Sequence, residues 1–555
     1  MLKLTRPHRA NYDVVKARQE TLATQVKLAS VNWAQNGFGT PQSVLMFYVI
    51  KMLFFLGVWV IAIAFRQDQV DLTSGDFWFS KASIIQAFAW AMCFELLGFG
   101  CGSGPLTGRY LPPIGGVLYF SRLGTIRRSP FKCATTKRRN LGDILIYWAF
   151  IFSLQTFLWM PDRATPSALI AFLLTYVAMG LRDQTVFLAG RPEHYLCALF
   201  CFAWNTEWMT GLFCIQMSLW LWAAVSKLTP HFPYVITVMA SNAPYKGLKG
   251  LRKHLYAALP LDLRPSKTAV RLAHFGTIVE FFGPLLFCLG PDSAIGIFGI
   301  AIMIGFHLFI LCHFPMGVPL EWNLVMIFGA LCSFFHFDAI TFSSESASLL
   351  GLLALPCVVI PLVGNLYPRY ISFLPSMRYY AGNWAYTMWL VKPEHLSKIR
   401  AHCHIPYANP FAQIERMFDD EVAESAKQAV LAFRCMHLHG RQLVELLETQ
   451  VSDLNRYTIF DGEMMGGWIL GWNFGDGHLH NQHLIKNVFD REVLSADDLL
   501  LLTVESQPLQ SSTIQWGLYD GCGDRISQGI FCTRVLRQKQ PWDVDTSHPK
   551  ASDGW

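Results

Sequence analysis

Apolar runs of about 18 to 22 residues, some slightly shorter, recur through the first two thirds of the chain, and no other feature constrains its fold as strongly. Wound as a helix rising ~1.5 Å per residue, such a run reaches across a ~30 Å hydrocarbon core. The runs cover residues 44–65, 83–100, 144–160, 167–181, 195–228, 269–289, 294–312, 322–337 and 349–366. Within 195–228, Asn205, Thr206 and Glu207 mark either a break between two short helices or one long tilted helix. Hydrophobic residues make up 52% of the 555 and charged residues only 15%, against ~25% in soluble proteins, so a single water-soluble fold is excluded. The expected fold is an all-α polytopic membrane bundle of about nine transmembrane helices, followed by a small α+β soluble domain.

Charge divides the chain in the same place as hydropathy. Before Pro375 stand 29 Lys and Arg against 17 Asp and Glu, and from there on 16 against 22. This predicts a cytoplasmic amphipathic N-terminal segment over 1–43, a multi-pass domain over 44–375 and an acidic soluble domain over 376–555. In the last, residues 412–433 and 440–454 read as helices, and 457–460, 468–472, 499–504, 514–519 and 530–536 as strands. Lys and Arg cluster before Val44 and between Arg109 and Arg139, which predicts that both lie on the cytoplasmic side. A single crossing at 195–228 conflicts with this rule, because the basic loop from Lys246 to Lys267 then falls outside. No secretory leader is visible in residues 1–40. Ten of the fourteen cysteines lie in or beside apolar spans as small hydrophobes, and the other four show no C-x-x-C spacing.

Function is to be sought among ionisable groups in or next to the spans, since each costs ~2.5–3.5 kcal/mol at mid-span unless it is paired or wet. These are Glu95, Glu207, Lys227, His274, Glu280, His307 and His313. A lysine held against apolar walls loses solvation and can serve as a base near neutral pH; one that snorkels to the headgroups does not. Lys227 closes the aromatic run Ser218-Leu-Trp-Leu-Trp-Ala-Ala-Val-Ser-Lys-Leu228, and spacing alone fits both readings. His274 and Glu280 lie six residues apart, about 240° around a helix, so they do not share a face.

The stretch from Trp220 to Leu331 resembles the transmembrane domain of vitamin K-dependent gamma-carboxylases and their bacterial relatives. It has an aromatic helix ending in Lys-Leu, a helix with an early His and a central Glu, and a helix with Phe-His. The resemblance implies that Lys227 is the base that deprotonates a reduced quinone, with Glu280, His274 and His307 positioning or relaying protons. The sequence departs from that family in Ala-Ala-Val-Ser before the lysine and in a much smaller C-terminal module. The blocks Asn36-Gly-Phe-Gly-Thr-Pro41, Glu95-Leu-Leu-Gly-Phe-Gly-Cys-Gly-Ser-Gly-Pro-Leu-Thr-Gly-Arg109, Tyr379-Tyr-Ala-Gly-Asn-Trp384 and Gly471-Trp-Asn-Phe-Gly-Asp-Gly-His-Leu-His480 resemble an uncharacterised bacterial family of multi-pass membrane proteins, a domain of unknown function. That likeness runs almost end to end and implies no activity.

Two further constellations carry expectations. The Gly-Pro-rich loop with Arg109, next to Glu95, suits an anionic headgroup, although such loops more often only reverse the chain. Asp476, His478, His480 and His483 offer one carboxylate and three imidazoles within eight residues, an N/O set that zinc accepts, while helix capping accounts for Asp476 equally well. Nucleic-acid binding is excluded, because the basic residues lie beside the spans and the soluble module is acidic. The sequence thus points to a membrane enzyme acting on a lipid or quinone-like substrate, or alternatively to a lipid transporter, a lipid-binding scaffold or an assembly factor of the cell envelope.

Overall fold

A helix that is apolar on all sides satisfies its own backbone hydrogen bonds and needs no water, which is why these runs become helices. The computed structural model describes residues 10–39, 41–66, 75–100, 115–130, 137–204, 207–243, 249–312, 319–489 and 492–545. Six of its helices are long and apolar enough to cross a membrane: Ser43–Arg66, Leu141–Trp159, Trp208–Ser226, Lys267–Phe287, Ala294–Leu311 and Ala347–Leu366. Three other expected spans form shorter helices. Lys81–Leu96 and Leu320–Phe335 have 16 residues each and Pro166–Arg182 has 17. At ~1.5 Å per residue they reach roughly 24–26 Å, short of a full hydrocarbon core.

The stretch 195–228 is not one helix. A turn of π-helix, Pro192–Leu196, runs into Cys197–Cys201, and a separate helix starts at Trp208 with Glu207 as its N-cap. This break decides the topology, because helix ends meet at two levels. At one, His336 Nε2 donates to the Phe79 carbonyl at 2.6 Å and Thr341 N donates to Thr210 Oγ1 at 3.0 Å. At the other, Tyr119 OH donates to the Trp468 carbonyl at 2.6 Å, Arg441 to the Leu263 carbonyl at 2.7 Å and Gln510 to the Leu366 carbonyl at 2.8 Å. The loops at this second level therefore all touch the C-terminal domain.

The N-terminal segment reaches the same level. Helix Leu22–Asn36 packs on helix Asp420–Met436, with Ala23 N donating to Glu448 Oε1 at 2.9 Å and the Trp33 ring 5.6 Å from that of Phe433. Its apolar face, Val26, Ala29 and Trp33, is buried against protein. Helix Leu22–Asn36 and the C-terminal domain thus lie on one side of the bundle, which requires an even number of crossings between them.

The C-terminal domain is built on a five-stranded antiparallel sheet. After a small hairpin, β1 (Tyr256–Ala258) and β2 (Asp262–Pro265), come β3 (Tyr386–Val391), β4 (Thr458–Asp461), β5 (Leu499–Val504), β6 (Thr513–Tyr519) and β7 (Arg525–Cys532), in the order β4-β3-β5-β6-β7. Strand β3 is buried along its whole length, so its sequence lacks the alternation that marks a half-exposed strand. The segment 468–472, expected as a strand, instead closes helix Gly462–Leu470, which Asp461 caps by accepting from Glu463 N at 2.8 Å. Gly471 ends that helix at φ +88°, where a Cβ would lie 2.3 Å from Tyr119 Cβ, so only glycine lets the membrane part approach here.

Candidate functional site

Lys227 follows the last residue of helix Trp208–Ser226, and Glu280 lies two turns from the end of helix Lys267–Phe287. The fold brings them into direct contact: Lys227 Nζ donates to Glu280 Oε2, and both side chains are buried. The ammonium also sits 5.2 Å from the centroid of the Phe232 ring and 5.9 Å from that of Phe306, within range of cation–π attraction. A lone charge at this position is very costly; the carboxylate and two aromatic faces offset that cost.

The pair stands at the inner end of a cavity of ≈ 350 Å³. Its walls come from helix Phe232–Ser241 and the two following spans, with Val235, Met239, Val279 and Ile302 among the lining side chains and Tyr380 at one edge. Lys227 is the single charged group in its wall among the described residues. Phe275 and Phe309 line the cavity and are exposed on the outer face of the bundle, so it opens where acyl chains would lie. Two glycines create the space. A Cβ on Gly305 meets nothing within 4 Å, and one on Gly276 meets only ordinary contacts with Phe232 and Phe306. Chemically this is an apolar slot with one proton-carrying ion pair at its closed end.

The other expected members of the site are placed differently. His307 is buried and locked: Trp220 Nε1 donates to its Nε2 at 2.8 Å, which puts the ring proton on Nδ1, and this donates to Asn323 Oδ1 at 2.9 Å. Asn323 Nδ2 donates in turn to the Pro319 carbonyl at 2.8 Å. Both ring nitrogens are engaged, His307 is not among the residues that line the cavity, and its bonds join three helices. His274 is exposed on the far side of its helix, as the 240° separation requires, and is not part of the site.

Glu95 is buried, and Gly100 lies so close that a Cβ there would be 2.1 Å from Glu95 Oε2. Arg109, its expected partner in headgroup binding, and His313 lie outside the described residues. The zinc set is not assembled: among the described residues no group of three or more His, Cys, Asp or Glu side chains is arranged to hold a metal ion. Asp476 caps a turn by accepting from His478 N at 3.1 Å, His478 Nε2 pairs with Glu505 at 3.1 Å, and His480 Nδ1 meets Thr387 Oγ1 at 2.7 Å. Asn481 accepts from His483 N at 3.1 Å as the cap of the next helix, on which His483 is exposed. Burial lowers the pKa of His480 well below the imidazole range; burial also disfavours the His478 imidazolium, but the bond and charge of Glu505 prevail and raise its pKa.

Several residues of the site escaped the sequence reading. The short helix Phe232–Ser241 is too brief to register as a span, yet it supplies one wall. Gly276 and Gly305, inside otherwise bulky apolar helices, were the available signal. A second intramembrane ion pair also went unread, Lys51 of the first span with Glu321, both buried. Lys51 is the one cation inside the run 44–65, which was its signal.

A family model described as a transmembrane protein of unknown function matches residues 2–553. No curated protein and no solved structure matches the chain.

Proposed function

The chain belongs to this family of transmembrane proteins, DUF3556, and on that premise we propose that it takes an amphiphile with a long apolar tail, a lipid or a quinone-like molecule, from the bilayer into the Lys227 cavity. The tail lies against the apolar walls and the polar end meets Lys227 and Glu280. The observation that carries this reading is the composition of the cavity: hydrocarbon walls, an opening on the lipid-facing surface and a single ion pair at the closed end. Its ≈ 350 Å³ lies within the roughly 300–1,000 Å³ of small-molecule pockets. In the enzymatic form of the proposal, the Lys227 ammonium passes its proton to Glu280, and the freed amine takes a proton from the substrate's hydroxyl. Lys227 is then an ammonium again beside the new oxyanion, and Glu280 holds the first proton. The pairing itself favours a second reading, a lipid-binding or transport role, because Glu280 already neutralises Lys227 without any substrate.

The same proposal sets the N-terminus, the basic loops and the C-terminal domain on the cytoplasmic face of a bacterial inner membrane. Support comes from the clustering of Lys and Arg in the loops on that side.

Lipid extraction from the purified full chain followed by mass spectrometry tests the cavity. Wild type is expected to carry an apolar-tailed amphiphile that Gly305→Leu and Lys227→Ala lose; identical lipid content in wild type and Gly305→Leu overturns the reading. Lys227→Arg separates its two forms, since a guanidinium keeps the charge but does not release its proton. Full rescue of cells lacking the protein by Lys227→Arg removes the base and leaves binding or transport.

A further inference from the structure

A second cavity, of ≈ 720 Å³, lies between the membrane part and the C-terminal domain and has the opposite chemistry. Arg122 comes from the turn after helix Gly116–Phe120, Arg400 from helix Leu396–His402 and Arg416 from helix Pro410–Met417, and all three line it together with His404. No carboxylate is among its lining residues, and none of the three guanidinium groups is in an ion pair among the described residues. Among the described residues the Arg400 guanidinium donates to the Ile405 and Pro406 carbonyls, at 3.4 Å each. All three are exposed, and they border one cavity with no carboxylate between them, a lining that suits an anion.

The site is held together by backbone that would otherwise relax. His404 adopts φ +53°, a left-handed conformation unfavourable for a non-glycine residue. Its ring lies so close to Gly124 that a Cβ there would be 2.4 Å from His404 Nδ1, and Gly124 itself has φ +78°. Arg138 staples the two elements, donating to the Gly124 carbonyl at 3.1 Å and the His402 carbonyl at 2.6 Å. The turn that carries Arg122 is thereby tied to the end of the helix that carries Arg400. Leu123, beside Arg122, and Leu141, at the start of the span Leu141–Trp159, are exposed. Exposed apolar side chains thus stand beside the residues of the cavity.

We propose that this cavity binds a phosphate ester, the guanidinium forks of Arg122, Arg400 and Arg416 meeting its oxygens. The bearer is a membrane phospholipid or a soluble phosphorylated compound. The site is independent of the Lys227 cavity, and Gly305→Leu leaves it unchanged.

The test uses the full chain in nanodiscs of neutral phosphatidylcholine and compares wild type, Arg400→Gln/Arg416→Gln and, as an exposed control, Arg456→Gln. Inorganic phosphate is titrated in one arm, and phosphatidic acid is mixed into the nanodisc lipid in the other. In at least one arm the double variant is expected to bind tenfold or more weakly than wild type and control, with an unchanged melting temperature. Phosphate saturation places a soluble phosphate ester in the cavity; a response to phosphatidic acid alone places a lipid headgroup there. Equal binding by wild type and double variant in both arms, or no binding in either, overturns the proposal.

Discussion

The buried charges of the spans, Lys227 with Glu280 and Lys51 with Glu321, are paired, and that fixes what single substitutions there do. Removing one member of the Lys227–Glu280 pair strands the other among apolar side chains, a loss of about 3–5 kcal/mol for a buried pair. Glu280→Leu alone is therefore expected to lower the melting temperature of the detergent-solubilised protein sharply, while Lys227→Met/Glu280→Leu regains most of the loss. A double variant as unstable as the single one would show that the pair is not an energetic unit. His307 is governed by hydrogen bonds instead. Trp220→Phe leaves its Nε2 without a donor in a buried setting and costs about 1–3 kcal/mol, yet the lipid content of the Lys227 cavity is expected to stay as in wild type. Lipid lost from Trp220→Phe at unchanged melting temperature would place His307 in the site after all. The sequence made Lys227 and Glu280 legible because charge inside an apolar run is costly. It did not separate them from His307, since the partners that lock that ring, Trp220 and Asn323, come from two other helices.

Elements were read well where one physical rule acted alone. The six long helices follow from apolar length, and β5 and β6 from their β-branched and apolar runs between turns. Strand β3 was missed because burial on both faces erases alternation, and 468–472 was misread because an apolar run of strand length also suits a buried helix. There the cap decides: Asp461 fixes the helix start and Gly471 its end. Gly471→Ala is expected to destabilise the protein by about 1–3 kcal/mol, from the left-handed backbone together with the collision at Tyr119. On a Tyr119→Gly background, which by itself loses a buried ring and its bond to the Trp468 carbonyl, the collision is absent and Gly471→Ala is expected to cost less than in wild type, so part of that loss returns in a double-mutant cycle measured by chemical denaturation. If no part returns, the contact between membrane part and C-terminal domain is not what requires glycine.

At the scale of the molecule, the N-terminal helix, the basic loops and the C-terminal domain form one layer on one side of the bundle. Epitope tags at the N-terminus and after Asp453 are expected to be reached from the same side of sealed vesicles, and a tag after Ser344 from the other. Access to the N-terminal and Asp453 tags from opposite sides would break the even count of crossings.

The seam of that layer also sets the response to acid. His231 from the membrane part meets His437 and His439 of the C-terminal domain, with ring centroids 5.2 Å apart for His231 and His439 and 6.4 Å for His437 and His439. Burial, reinforced for His437 and His439 by Arg434, pushes His231 down to about 4, His437 to about 3 and His439 well below the usual imidazole range. All three are neutral in the folded protein at pH 6, whereas an unfolded histidine titrates near ~6.5. Below that pH the unfolded chain holds more protons than the folded one, so stability falls as pH falls, by up to ~1.4 kcal/mol per pH unit for each fully buried imidazole. The loss starts near pH 6.5 and continues to about pH 4, where the folded His231 itself takes a proton. His478 acts in the opposite direction, since Glu505 holds its pKa up and its contribution is lost as pH rises, but it is one group against four, because burial holds His480 neutral as well. Melting temperatures of the full chain between pH 8 and pH 4 are therefore expected to drop below pH 6.5, and His439→Phe to make that drop shallower. A melting temperature level from pH 7 to pH 5 would mean that the seam admits water and lets these imidazoles charge in place.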